Sequence, residues 1–519
     1  MGILHSLLSF IKRVARHTLP AFVCGFALAL AFEPVAFAWI LPFAVAGFAY
    51  LTHKKRLRVA LAVGMAFGAG FHFIFLSWIS AISNSAWLAA GVTEMVIYGG
   101  LGVVFALLSR LRYWPLWLAA AWAAMEVFRT NWPMGGMPMG RLSFAVIDTP
   151  AALALPYVGS LGVTLLLALL GTLLAWVVLV PGKRRILALG VLVLAVAIFA
   201  LPMLVTYTPK TNGSATVAAI QGNVPVDGRY SIENYRQVAQ NHVDTTMRLA
   251  IDVLGGTAPK PTFVVWPENT AASDPFNDNQ ARNIVSVATS AIKAPILVGA
   301  IVNNKQDTLY NQGIVWDPVT GAGDRYSKQH PVPFGEYMPL RGKINGNFGN
   351  LPRLTRDIVP GTSSDPITIA GVKVADAICF DIDYDDTIYK QVSRGAQMIT
   401  VQSSNALFTG TKQLDQQFAV ARLRAIETGR SVVVATTNGV SGIIAPDGRV
   451  ISQTAPRTQA ILLEKVSLST SITPGVRMGM WIGKLCVIIT VAGLLASIVL
   501  RLRKRRPADT TTDATQSKL

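Results

Sequence analysis

The chain has 519 residues, enough for two domains rather than one, and 52% of them are hydrophobic. Its mean hydropathy is positive, which excludes an ordinary soluble domain of this length. The formal charge of +18 would suit a nucleic-acid binder, but it is concentrated in short clusters beside apolar runs, which excludes that class.

In chain order, apolar runs long enough to span a bilayer fall near Leu19–Phe37, Ala38–Leu51, Leu57–Ile79, Ala86–Leu108, Trp114–Phe128, Ala151–Val180 and Ile186–Val205. Basic clusters punctuate them: Lys12, Arg13 and Arg16; Lys54 to Arg58; Arg110 and Arg112; Lys183 to Arg185. An eighth run, Met478–Leu500, is followed by Arg501 to Arg506. With eight spans every cluster lies on one side, which the distribution of Lys and Arg makes cytoplasmic. The expected architecture is therefore a seven-helix membrane domain (1–206), an extracytoplasmic domain (207–476), an eighth transmembrane helix (477–502) and a disordered cytoplasmic tail (503–519). The loop from Arg129 to Arg141, rich in Gly, Pro and Met, reads either as a lipid-contacting loop or as an ordinary turn with one aromatic anchor.

Between Tyr207 and Val476 acids and bases nearly balance. Short β-rich runs follow one another: Thr216–Ile220, Thr262–Trp266, Pro295–Val302, Gly313–Trp316, Val374–Phe380, Met398–Gln402 and Ser431–Thr437. Ser231–Val253 and Leu414–Thr428 carry helical periodicity, so the domain reads as α/β, a sheet covered by helices. Three strand-like runs each end on a reactive side chain: Glu268 after Trp266-Pro267, Lys328 after Asp324–Ser327, and Cys379 after Val374–Ile378. Ligand sites in such sheets gather at the carboxyl ends of strands. Brought together there, Glu268 takes the thiol proton, Cys379 attacks a carbonyl, and Lys328 holds the oxyanion. Taken singly, each has a plainer reading as a buried thiol, a helix-capping acid or a solvated amine. Cys24 and Cys486 lie in apolar runs and read as small buried hydrophobes. The sequence holds neither a His/Cys metal cluster nor a phosphate-cradling Gly-rich loop, so no cofactor is expected.

VVWPEN, YSKQHPVPFGEYMP and AICFD resemble the three signature segments of the nitrilase, or carbon–nitrogen hydrolase, superfamily. AIQGNVP, ARLRAIETGRSVVVATTNGVSGIIAPDGRV and the eight spans are similar to its apolipoprotein N-acyltransferase branch. The resemblance implies an αββα sandwich with a Glu268–Lys328–Cys379 triad, and Glu336 as a second supporting carboxylate. Phe380 and Asp381 stand where that family commonly has Tyr and Glu, and Tyr230 takes the place of an aromatic near the domain start, often Trp. Leu407 and Phe408 fall where it often has Trp-Phe-Gly. The implied reaction passes a fatty acyl chain from a phospholipid, through a Cys379 thioester, to the α-amine of a diacylated apolipoprotein. The implied setting is the bacterial cytoplasmic membrane, with the catalytic domain outside and both termini inside. Rival readings are a membrane-anchored amidase or nitrilase, which would pass the acyl group to water, and a binding module for lipidated partners.

Overall fold

The computed structural model describes residues 2–224, 232–271, 273–339, 341 and 355–503. Seven helices come first: α1 (Gly2–Ala29), α2 (Leu41–Thr52), α3 (Leu57–Phe75), α4 (Asn84–Leu108), α5 (Trp114–Asn131), α6 (Leu155–Leu179) and α7 (Lys183–Leu204). The chain then runs through β1 (Thr211–Gln221), α8 (Ile232–Leu254), β2 (Phe263–Val265), α9 (Asn279–Ile292), β3 (Ile296–Asn303), β4 (Leu309–Asp317) and β5 (Gly321–Ser327). After these come β6 (Ile367–Ile369), β7 (Val372–Ile378), α10 (Asp385–Ser393), β8 (Met398–Ser403), α11 (Gln413–Thr428) and β9 (Val432–Thr436). The last elements are β10 (Gly442–Ile444), β11 (Val450–Gln453), β12 (Ala460–Ser469) and α12 (Pro474–Arg503).

By length and composition α3, α4, α6 with the turn before it, α7 and α12 can each cross a membrane. α1 stops at Ala29 rather than running on to Phe37, because Pro34 has no N–H for a helix interior and the chain turns there. The Ala151–Val180 run opens with a 3-10 turn, Pro150–Ala154, and α6 breaks at Gly159, whose φ of +69° suits glycine. A Cβ there would also press on the Gly475 carbonyl of α12 and the Tyr389 hydroxyl, both at 3.0 Å. Elsewhere small residues let helices meet backbone to backbone: a Cβ on Gly64 of α3 would strike the Tyr98 carbonyl of α4.

The polar domain is built on two six-stranded sheets, ordered β12-β1-β2-β3-β4-β5 and β11-β10-β9-β8-β7-β6. β1–β2–β3 and β7–β8–β9 pair in parallel, so the strand ends that carry chemistry point the same way within each sheet. The sheets meet through an apolar layer that includes Val217, Val265, Leu297, Val374, Met398 and Val433. α8 and α9 cover the outer face of the first sheet. α10 and α11 cover the second, and here the layers do not end at solvent. Ala375, Ile399 and Val432 beneath these helices belong to one continuous core with Leu142 and Phe144, from the 3-10 segment between α5 and α6, and Leu155 of α6. β1 extends beyond Thr216–Ile220 because β12 pairs along it antiparallel, Ala219 opposite Leu462.

A buried ionic network crosses the junction. Arg141, after α5, donates to Asp385 Oδ2 at 2.7 Å, and Arg424 of α11 reaches Asp385 at 2.9 Å and Glu427 at 2.6 Å. Glu427 accepts from the Ser160 backbone N–H of α6 at 2.6 Å and from the Tyr389 hydroxyl at 2.5 Å. Arg424 also donates to the carbonyls of Ile382 and Asp383. The Arg129–Arg141 loop is thus largely a dock between domains. Arg129 is buried on Glu94 at 2.9 Å, Met139 is buried, and the hydroxyls of Tyr337 and Tyr384 donate to the carbonyls of Met134 and Gly135. Of the loop's large apolar side chains, Trp132 and Met134 face outward.

Candidate active site

Glu268 follows β2 through Pro267 and is only 4% exposed. Its Oε1 accepts from Asn311 Nδ2 at 2.7 Å and from Lys328 Nζ at 3.4 Å, and its Oε2 accepts from the Ser404 backbone N–H at 2.8 Å. Lys328 leaves the end of β5, where its N–H donates to the Asn311 carbonyl at 2.9 Å. Its ammonium, 2% exposed, also pairs with Glu336 Oε2 at 2.9 Å. Glu336 accepts from Asn311 Nδ2 at 2.9 Å and from the Val332 N–H at 2.7 Å. One lysine is therefore held between two carboxylates, and both hydrogens of the Asn311 amide are spent on the same pair.

Cys379 follows β7 with φ +53°, a left-handed conformation that turns the chain into the 3-10 segment Cys379–Asp383. The thiol is partly buried and accepts from Gln417 Nε2 of α11 at 3.7 Å. Gln417 is aimed by Asn405, whose amide donates to it at 3.1 Å and to Gln413 at 3.2 Å. Burial, and then the charge of Glu268, push the thiol up to about 12, against the pull of Lys328. Burial raises Glu268 above its ordinary value, again against Lys328. Burial alone would push the Lys328 ammonium down, but Glu336 and Glu268 outweigh it and hold it well above the usual lysine range. The resting charges are then a neutral thiol, a fixed ammonium and a carboxylate with raised proton affinity. Such a set moves the thiol proton only as the sulfur attacks.

The supporting residues divide. Asp381, fully buried, crosses to the other sheet, where it accepts from the Tyr326 hydroxyl at 2.7 Å and the N–H groups of His330 at 2.9 Å and Gln329 at 3.2 Å. It thus clamps the turn just after Lys328. Phe380 belongs to the core shared with the membrane domain and packs edge-on to Tyr384 at 5.3 Å, and Tyr384 stacks on His330 at 3.6 Å. Tyr230 and the tail from residue 504 lie outside the described residues. Sequence reasoning missed Asn311, Gln417 and Asn405. The one available signal was polar side chains inside otherwise apolar strand and helix patterns, LYNQGIVW and QLDQQFAV.

Two sheets back to back, with carboxylate, amine and thiol at their strand ends, define a carbon–nitrogen hydrolase fold, and a family model described as carbon–nitrogen hydrolase matches residues 216–473. A second, described as apolipoprotein N-acyltransferase N-terminal domain, matches residues 24–173. A protein of Mycolicibacterium smegmatis named apolipoprotein N-acyltransferase is 36% identical over 94% of this chain and 87% of its own length. One of that name from Chromobacterium violaceum is 27% identical over 94% of both. Among solved structures, a carbon–nitrogen hydrolase from Helicobacter pylori aligns over 52% of this chain and 94% of its own, at 15% identity and a TM-score of 0.37. The chain belongs to the apolipoprotein N-acyltransferase family.

Proposed function

We propose that the protein moves a fatty acyl chain from a phospholipid to the α-amine of the amino-terminal diacylglyceryl-cysteine of an apolipoprotein, with Cys379 as the acyl carrier. The observation that carries this reading is the convergence of Glu268, Lys328 and Glu336 beside the Cys379 turn, on a domain whose α10–α11 layer is packed straight onto membrane helices.

The chemistry runs as two displacements. The thiol gives its proton to Glu268 and its sulfur bonds to the ester carbonyl carbon. Lys328 stabilises the oxyanion. The carbon–oxygen bond breaks, Glu268 returns the proton to the departing lysophospholipid oxygen, and a thioester remains. The acceptor amine then attacks the thioester carbon and gives a proton to Glu268. The carbon–sulfur bond breaks and the thiolate recovers that proton. Glu336 keeps Lys328 in place through both steps. Lipid-anchored substrates favour the eight-span topology in the cytoplasmic membrane, with residues 207–476 outside and both termini inside.

The test is intact-mass detection of a Cys379-linked acyl group after incubation with labelled phospholipid, followed by label transfer to a diacylated lipopeptide. Cys379→Ala should take up no acyl group. Release of free fatty acid with an unlabelled peptide would instead select the membrane-anchored hydrolase. Absence of any acyl-enzyme in the wild-type protein would select the binding module.

A further inference from the structure

A cavity of about 450 Å³ opens where the domains meet, at the outer end of α3. Ser77, Trp78, Ser80 and Ala81 line it from the turn after α3, and Thr411 and Lys412 line it from the residues just before α11. The lining is rich in donors and contains no acid. The Lys412 ammonium is half-buried and donates to the Ile74 carbonyl, which leaves it two further N–H groups. Among the described residues it makes no ion pair, not even with Asp415 three residues on. Burial lowers its proton affinity, as expected of an ammonium short of a counter-charge. Trp78 is 9% exposed, and its indole N–H finds no acceptor among the described residues. The positive end of the α11 dipole adds to the same field.

We propose that this cavity seats the phosphodiester of the phospholipid acyl donor. The proposal rests on the acyl-transfer reading and assigns a site to one of its substrates. Lys412, just before α11, and Gln416 within it both turn to the membrane domain, Lys412 donating to the Ile74 carbonyl and Gln416 to the Glu33 carbonyl. The neighbouring face carries Gln417 to the thiol. Lys412 lies only five residues before Gln417, so one short stretch of chain, Lys412–Gln417, serves both the cavity and the thiol. A diacylglyceryl-cysteine acceptor carries no phosphate. The cavity therefore serves the first half-reaction and not the second.

The experiment compares full-length wild type, Lys412→Gln and Lys412→Arg in detergent micelles. It reads the rate of Cys379 acylation by intact mass, from a dioleoyl phospholipid and from dioleoylglycerol. The expected result is that the phospholipid-over-dioleoylglycerol rate ratio falls about tenfold or more in Lys412→Gln, through KM, and that Lys412→Arg restores it. An unchanged ratio would overturn the proposal. So would an equal loss with both donors, since Lys412 would then only brace α11. Inhibition of the wild type by millimolar inorganic phosphate, as strong as that by soluble glycerophosphocholine, would assign the cavity to free phosphate and overturn the lipid assignment. Wild-type protein acylated by neither lipid would instead remove the acyl-transfer reading itself.

Discussion

Glu268 has two opposed neighbours, a lysine that favours its charge and a second carboxylate that does not, inside a pocket that penalises charge altogether. Its proton affinity is raised, and a base must be unprotonated to act. The acid limb of the pH–rate profile for Cys379 acylation should therefore lie above the ordinary carboxylate range, with the rate rising as pH rises through it. Glu268→Gln should cost about 10²–10⁴-fold in that rate and remove the limb. Asp381 tests a different idea. It receives three hydrogen bonds from the segment around Lys328, and an Asn amide would turn its own hydrogens toward one of those donors. Asp381→Asn should lower the acylation kcat by about 10–100-fold with KM little changed, and Asp381→Glu should recover part of it. Glu268, Lys328 and Cys379, the proposed triad, could be singled out in the sequence, because three strand ends each presented one reactive residue within a family-like segment. Asn311 and Gln417 were not. Their importance lies in what they face across the fold, and neither spacing nor residue type reveals that.

Between the two sheets, Asp376 of β7 and Gln402 of β8 each leave one side-chain oxygen without a donor among the described residues, and a Cβ on Gly313 of β4 would strike both. Two unsatisfied acceptors side by side ask for a proton. Burial supplies the reason it stays, pushing Asp376 to about 7 against its hydrogen bond from Thr400. A carboxyl whose folded pKa is raised stabilises the fold fully below its unfolded value, near 3.9, and loses that contribution as pH climbs through about 7. Asp376→Asn should thus raise the thermal midpoint at pH 8 relative to wild type and leave it nearly unchanged at pH 4, as measured by melting in detergent. At this scale the sequence showed the strands with internal alternation or dense β-branching. It did not show β6, β10, β11 and β12, which are short or mixed in composition and owe their state to partners far along the chain. α10 was missed for a related reason. Its nine residues begin DDTIYK, and what makes them helical is the core they cover on one side and the membrane helices on the other.

For the molecule as a whole, the network of Arg141, Asp385, Arg424 and Glu427 joins the membrane helices to the hydrolase fold, and Arg424 also holds the end of the turn that begins at Cys379. Removing one charge from such a buried set leaves others uncompensated. Asp385→Asn should cost about 3–5 kcal/mol, seen as a lower thermal midpoint and faster proteolysis between the domains. The sequence made the two-part architecture plain through its hydropathy, but the junction was invisible, since its partners lie hundreds of residues apart.

α11 and the residue before it touch the Cys379 thiol on one side, and α3 and the turn after α1 on another. A helix of this kind is a rigid spacer, so the height of the sulfur above the lipid is a fixed dimension of the enzyme. In the proposed reaction the ester must then rise to meet it. Each methylene drawn out of the hydrocarbon costs ~0.8 kcal/mol unless protein covers it. Chain selectivity would follow from how far the spacer makes a lipid climb, and from how much greasy wall lines the ascent.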